Sequence, residues 1–322
     1  MSPRAAKVAE GLLPGGHDVA FGEIEVTLAR IVRDGRRRKR GPARALTATV
    51  IVVGKPDRLV AAADALEQLG ESGGVRAILI SEGEHTAPVA RVTENAIAIS
   101  GLAPGYLNNA VAALRLSSLP ALVWWRGGSI ESLDGLANLA DRLVLDAAEP
   151  DAVWARADTL FERTALTDLR WTALTRWRAA LAHLFDLPQV RQGAPGLRTL
   201  TIDARDVHMA RLFAGWLKSE LRWTSAVTIA INTVKGHGRH AADAGPLSLA
   251  GVTLAGVGLA IALRVPQGKA CLEAVVDGAE SSARVVPLGD GALASLIGEE
   301  LGVRTRDLAF ERALIAAREI SA

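Results

Sequence analysis

The chain is poor in sulfur and in aromatic side chains, has no long apolar run and carries almost no net charge. Cys271 is the only cysteine among 322 residues. One thiol excludes an intramolecular disulfide, a cysteine-built zinc site and an iron–sulfur cluster within the chain, and it fits a reducing compartment. No stretch reaches the ~18 apolar residues that suggest a membrane-spanning helix. The longest candidate, Leu254 to Val265, is shorter and interrupted by glycine. Met1 to Gly16 lacks the apolar centre of a secretory signal. These absences predict a soluble, cytoplasmic protein with no membrane partner.

The charge balance is +2, from 37 Lys and Arg against 35 Asp and Glu. A field that weak draws the chain to neither nucleic acid nor membrane. A nucleic-acid role would rest on the run Arg36-Arg37-Arg38-Lys39-Arg40 alone, and no aromatic or glycine pattern accompanies it. The plain reading of that run is a solvated linker.

What is present is a globular composition, 49% hydrophobic and 22% charged. Aromatic residues are only 4%, yet seven are Trp, against five Phe and one Tyr. The core must therefore be mostly Ala, Val, Leu and Ile. Each Trp needs its own explanation, because a buried indole N–H wants an acceptor.

Along the chain, residues 1–16 read as loose, and Ile24 to Val32 as a short amphipathic helix. Apolar runs then alternate with helical patterns. Thr47–Val53, Val75–Ile80, Val89–Ile99, Leu122–Trp125 and Leu143–Leu145 read as strands, with helices between them and one over Asp151–Arg163. Near-continuous apolar strands alternating with helices predict a mostly parallel sheet covered by helices. After a helical stretch from Asp168 to Phe185, the second half carries a strand at Leu197–Ile202, a helix around Met209–Leu217 and β runs at Ala226–Val234, Leu259–Val265, Ala270–Val276 and Ala283–Pro287. Two helices close it. That order predicts an α+β domain with a mainly antiparallel sheet. The expected division is an N-terminal extension over 1–43, an α/β domain over 44–165 and an α+β domain over 166–322.

No catalytic motif is legible: there is no Gly-x-Ser-x-Gly elbow and no phosphate-binding Walker sequence. His237, His240 and Asp243 lie in a glycine-rich stretch that reads as a loop, so no metal site is expected. The same stretch gives Gly236-x-Gly238-x-x-Ala241, a partial dinucleotide fingerprint with no clear helix after it. No cofactor is expected.

Two segments stand out. In Trp124-Trp125-Arg126-Gly127-Gly128-Ser129 the two indoles point to opposite faces of a strand, and Arg126 sits at its C-terminal end. In an open parallel sheet that end is where ligands gather. Gly127 and Gly128 permit unusual backbone angles, and Ser129 can start the next helix, an arrangement suited to an anion. Lys55, Ser81 and Asp146 fall on the same edge, and the competing reading is a structural Arg126–Asp146 pair. In the second segment, Trp171, Leu174, Arg178 and Leu181 lie on one side of a helix, with Trp177 about 60° round. Trp and Arg are the residues enriched in interface hot spots, but a contact inside the chain fits equally.

Together these segments resemble the glucose-6-phosphate dehydrogenase assembly protein family, OpcA. The likeness runs through Thr47–Val53, Leu119–Gly127, Asp141–Asp146, Asp168–Arg178 continuing to Leu184-Phe185-Asp186, Ala214–Leu217 and Leu221–Trp223. The resemblance implies a non-catalytic protein whose partner is glucose-6-phosphate dehydrogenase, promoting its active oligomer and so the oxidative pentose phosphate pathway and NADPH supply. Redox control through paired cysteines, a feature of some photosynthetic members, is not open to a chain with Cys271 alone. The alternative is a sugar-phosphate- or nucleotide-binding enzyme using Arg126-Gly127-Gly128-Ser129 as its anion site.

Overall fold

The computed structural model describes residues 3–38, 45–72, 74–85, 88–223, 227–234, 248–266, 271–277, 284–303 and 305–321. In chain order the first elements are α1 (Pro3–Leu12), β1 (His17–Val19), α2 (Ile24–Arg38), β2 (Ala48–Gly54), α3 (Pro56–Ser72), β3 (Val75–His85), β4 (Val89–Val92), β5 (Ala96–Leu102), α4 (Pro104–Leu114), β6 (Ala121–Trp125), α5 (Leu133–Leu139) and β7 (Arg142–Leu145). Short helices α6 (Asp151–Trp154) and α7 (Ala157–Phe161) lead to β8 (Ala165–Asp168), α8 (Leu169–Ala173), α9 (Thr175–Phe185) and α10 (Pro188–Gly193). The rest is β9 (Leu197–Ala204), α11 (Val207–Glu220), β10 (Thr228–Thr233), β11 (Leu249–Gly256), β12 (Leu259–Arg264), β13 (Cys271–Asp277), β14 (Arg284–Pro287), α12 (Leu293–Gly302) and α13 (Leu308–Arg318).

The strands form two sheets, as the alternation predicts. The first has eight strands in the order β1-β4-β5-β3-β2-β6-β7-β8. Its middle, β5-β3-β2-β6-β7, is parallel, with β4 and β1 antiparallel at one edge. Every residue of β2 and of β6 is buried. Strands buried on both faces have no polar side to show, which is why they read as unbroken apolar runs. The second sheet has six strands, β10-β9-β11-β12-β13-β14, antiparallel except for the β9–β10 pair.

Some local expectations change. Residues 1–16, read as loose, contain α1, with Ala5, Ala9 and Leu12 buried. Val89–Ile99 is a hairpin, not one strand: Thr93 N–H donates to Ala96 O at 2.9 Å and closes a turn over Glu94-Asn95. The apolar run Leu254–Val265 is likewise a hairpin of β11 and β12. It turns at Val257-Gly258, where Gly258 takes φ +72°, the left-handed region glycine enters at no steric cost. The helix expected over Asp168–Phe185 divides at Leu174 into α8 and α9.

Two compact units contain these elements. Unit 1 is Met1–Glu149, Asp158–Leu166 and Ile297–Arg306; unit 2 is Pro150–Ala157, Thr167–Leu296 and Asp307–Ala322. Within unit 2, α11 and α13 cross in close contact. A Cβ on Gly215 would lie 2.3 Å from Ala313 O, so only glycine fits the crossing.

Candidate functional site

The Trp124–Ser129 segment lies in unit 1, at the C-terminal end of β6. Trp124 has no exposure and Arg126 is 2% exposed. Both turn to Asp146, just past β7. Trp124 Nε1 donates to Asp146 Oδ2 at 3.2 Å, and Arg126 Nε lies 2.8 Å from the same oxygen. The Arg126 guanidinium carbon is 4.8 Å from the Trp124 ring centroid, and its Nη1 donates to Arg58 O at 2.9 Å. Arg58 in turn donates from Nη2 to Asp146 Oδ1 at 3.2 Å. One buried carboxylate thus answers two guanidinium groups and an indole. Trp125, on the other face, is buried, and its Nε1 has no hydrogen-bond partner among the described residues.

Gly127 and Gly128 adopt φ +126° and +127°, angles L side chains rarely take. The turn they make aims the Ser129 N–H at Glu82, which accepts it through Oε2 at 2.7 Å. A Cβ on Gly128 would come 2.5 Å from that carboxylate. Burial holds the Glu82 carboxyl above the usual range, the Ser129 N–H opposes this, and the nearby Glu131 charge adds to it. The donors that suggest an anion cradle in the sequence therefore already hold the chain's own carboxylates, Glu82 on Ser129 and Asp146 on Arg126. Of the other groups on that edge, Ser81 is buried and Lys55 is exposed.

The Asp168–Arg178 segment lies in unit 2. Trp171 and Trp177 are 2% and 0% exposed. The Arg178 guanidinium carbon sits 3.5 Å from the Trp171 ring centroid, and Phe310 approaches the same indole at 5.7 Å. Trp171 Nε1 donates to Asp307 Oδ2 at 2.7 Å. Trp177 meets Phe213 edge-on, and Phe213 meets Trp216. Each segment's own aromatic and cationic residues are thus brought together, with the indoles in the interior.

Three aspartates to which the sequence assigns no role organise unit 2, and they share one design. Each caps a helix N-terminus with Oδ1 and accepts a side-chain donor with Oδ2. Asp168 Oδ1 takes Arg170 N–H at 2.9 Å, and Oδ2 takes Trp154 Nε1–H at 3.0 Å. Asp206 Oδ1 takes the N–H groups of His208 and Met209, and Oδ2 takes Arg170 Nε at 2.7 Å. Asp307 Oδ1 takes the N–H groups of Ala309 and Phe310 and Oδ2 holds Trp171. Full burial raises the Asp168 carboxyl, although the Arg170 charge and N–H and the Trp154 indole oppose it. An Asp immediately before a helical pattern is the signal that could have found them. On the helix that Asp206 caps, Arg211 Nη1 donates to Asp151 Oδ1 at 2.6 Å, and His208 Nε2 lies 3.3 Å from Asp151 Oδ2.

Among the described residues no group of three or more His, Cys, Asp and Glu could hold a metal, and no helix is long and apolar enough to cross a membrane. His237, His240, Asp243 and the Gly236-x-Gly238 fingerprint fall outside the described residues, as do Lys39 and Arg40.

Residues 164–314 match the OpcA-type family whose model describes the C-terminal domain of a glucose-6-phosphate dehydrogenase subunit. Three curated relatives carry the provisional name OxPP cycle protein OpcA. That of Synechococcus elongatus is 32% identical over 122 residues, 35% of this chain and 27% of the relative. That of Nostoc punctiforme is 29% identical over 39% of this chain and 30% of its own length. That of Synechocystis is 29% identical over 37% and 27%. The match thus spans less than a third of each relative. Residues 164–314 are thus similar to the OpcA family's domain, in agreement with the resemblance read from the sequence. Among solved structures, an aldose-aldose oxidoreductase of Caulobacter crescentus aligns with a TM-score of 0.46 at 12% identity, over 85% of this chain and 95% of that one. The WlbA dehydrogenase of Bordetella pertussis aligns at 0.45 and 10%, over 85% and 94%.

Proposed function

We propose that this chain is a non-catalytic partner of glucose-6-phosphate dehydrogenase that promotes its active oligomer, and so supports the oxidative pentose phosphate pathway. The observation that carries the reading is the family match over 164–314, which includes the Trp171–Arg178 segment and its capping partner Asp307. The lack of a legible catalytic motif in the sequence agrees with it. A partner of this kind works by linkage. It binds the substrate-competent state of the dehydrogenase better than the idle one, and a preference of 1–3 kcal/mol changes apparent affinity about 5- to 150-fold.

The anion-site alternative requires a phosphate to displace Glu82 from Ser129 and Asp146 from Arg126. Nothing in the geometry favours that exchange. The direct test mixes the purified chain with its cognate dehydrogenase and follows KM and oligomeric mass together. The expected result is a lower KM with a larger or more stable oligomer. No change in either at saturating protein would refute the proposal.

A further inference from the structure

Resting on that proposed partnership, we infer that the dehydrogenase docks on the open face of the six-stranded sheet in unit 2. The registers sort this sheet into two faces. On one, the cross-strand rows Leu200–Leu254–Ile261–Val276 and Ile202–Val252–Leu263–Ala274 are all buried, and α9 and α11 pack on the sheet. The other face lies on the alternate residues. Its central row is Ala230–Thr201–Thr253–Ala262–Val275, with no charge across five strands. Thr228–Thr199–Ala255–Ala260 runs beside it and stays uncharged until Asp277, the partner of Ala260 on β13. The third row, Asp203–Gly251–Arg264–Glu273, carries three more charges. The Thr, Ala and Val residues of these rows are half-buried to exposed, and Val275 and Val285 keep 39% and 63% of their surface.

A solvent-facing sheet side normally alternates polar residues outward. Here the central row is Thr, Ala and Val throughout, side chains that suit a flat contact and lose little freedom when covered. Six strands at ~4.8 Å spacing and about six residues of ~3.3 Å give a face of roughly 24 by 20 Å. That is on the order of 500 Å² a side, or 1,000 Å² for a pair, the threshold of a specific interface. The occupant follows from the family match. All six strands fall inside residues 164–314, whereas β1 to β7 fall outside. The part of the chain tied to the dehydrogenase by its family is the part that carries this face. The docking surface on the dehydrogenase is then itself flat and uncharged at its centre, with a charged rim meeting Asp203, Arg264 and Glu273.

The test uses the full chain and purified dehydrogenase in a binding titration, with sedimentation of the chain alone. The double variant Thr201→Glu, Ala262→Glu places two charges at the centre of the face. It should weaken binding about 100-fold, the effect of desolvated, unpaired charges, with melting unchanged. Val275→Lys, at an exposed site, does the same more mildly should the double variant fold poorly. Tyr106→Ala, on α4 in unit 1, is the control and should leave binding within twofold. Wild-type binding that the folded face variants retain overturns the docking face and leaves the partnership standing. Absence of wild-type binding overturns the partnership itself. A self-associating wild type that the face variants make monomeric, with dehydrogenase affinity unchanged, assigns the face to a second copy and overturns the inference.

Discussion

The two Trp/Arg segments bury an indole beside a guanidinium and settle the cation in different ways. In unit 1 Arg126 is fully enclosed, so its charge must be met inside: Asp146 supplies the countercharge and accepts Trp124 as well. In unit 2 Arg178 is only half-buried, so solvent shares its charge and the guanidinium can lie flat on the Trp171 ring. The Trp171 N–H is left to a different carboxylate, Asp307, whose other oxygen caps α13. Depth of burial decides whether an arginine beside an indole is an ion pair first or a stacking plate first.

Four measurements can break or sharpen that contrast. Asp146→Ala should have the largest effect, about 3–5 kcal/mol in denaturant unfolding, because it strands the buried Arg126 charge. Asp307→Ala should cost about 2 kcal/mol, roughly half from the lost cap and half from the unanswered indole donor. Equal losses for the two would break the distinction. Arg178→Ala should cost only ~1 kcal/mol, the scale of a partly exposed cation–π contact.

The smallest effect is a slope with pH. Burial raises the Glu82 carboxyl in unit 1, so protonation favours the folded state. The stability it contributes is present in acid and is lost as pH rises from 4.5 through the folded value. Glu82→Gln should remove that decline. Asp151 in unit 2 runs the other way. Burial pushes its carboxyl up, but the hydrogen bonds and charges of Arg211 and then His208 outweigh this and lower it. Its contribution is present above the ordinary value of 3.8 and is lost as pH falls through the folded value, so Asp151→Asn should flatten the acid limb. Difference unfolding curves of opposite slope for the two variants are the expected result, and matching slopes would contradict it.

The sheets were legible in the sequence because their burial leaves a pattern. β2 and β6 are covered on both sides and read as continuous apolar runs, and the Arg126–Asp146 pair follows from two neighbouring parallel strands ending together. The two hairpins were harder. Val89–Ile99 keeps its alternation through the turn, and Leu254–Val265 is apolar on both arms. The partners of the tryptophans were not legible, because they are distant along the chain. Trp171 and Asp307 are 136 residues apart, and no local spacing announces a contact that only the packed unit creates. Glu82 was missed for the same reason: it reaches Ser129 from 47 residues earlier in the chain.

Because Pro150–Ala157 belongs to unit 2 while Ile297–Arg306 belongs to unit 1, neither unit is one uninterrupted stretch of coding sequence. A fragment cloned at the family boundaries, 164 to 314, would begin after Trp154 and deprive Asp168 of the indole it holds. It would also stop before Ala317, a residue packed against Gly215 in the α11–α13 crossing. The remaining N-terminal piece would keep Arg142, 5% exposed, without its countercharge Glu300. Expression of the isolated domain should therefore give a poorly folded product, and grafting it onto another protein would require both outlying segments to travel with it.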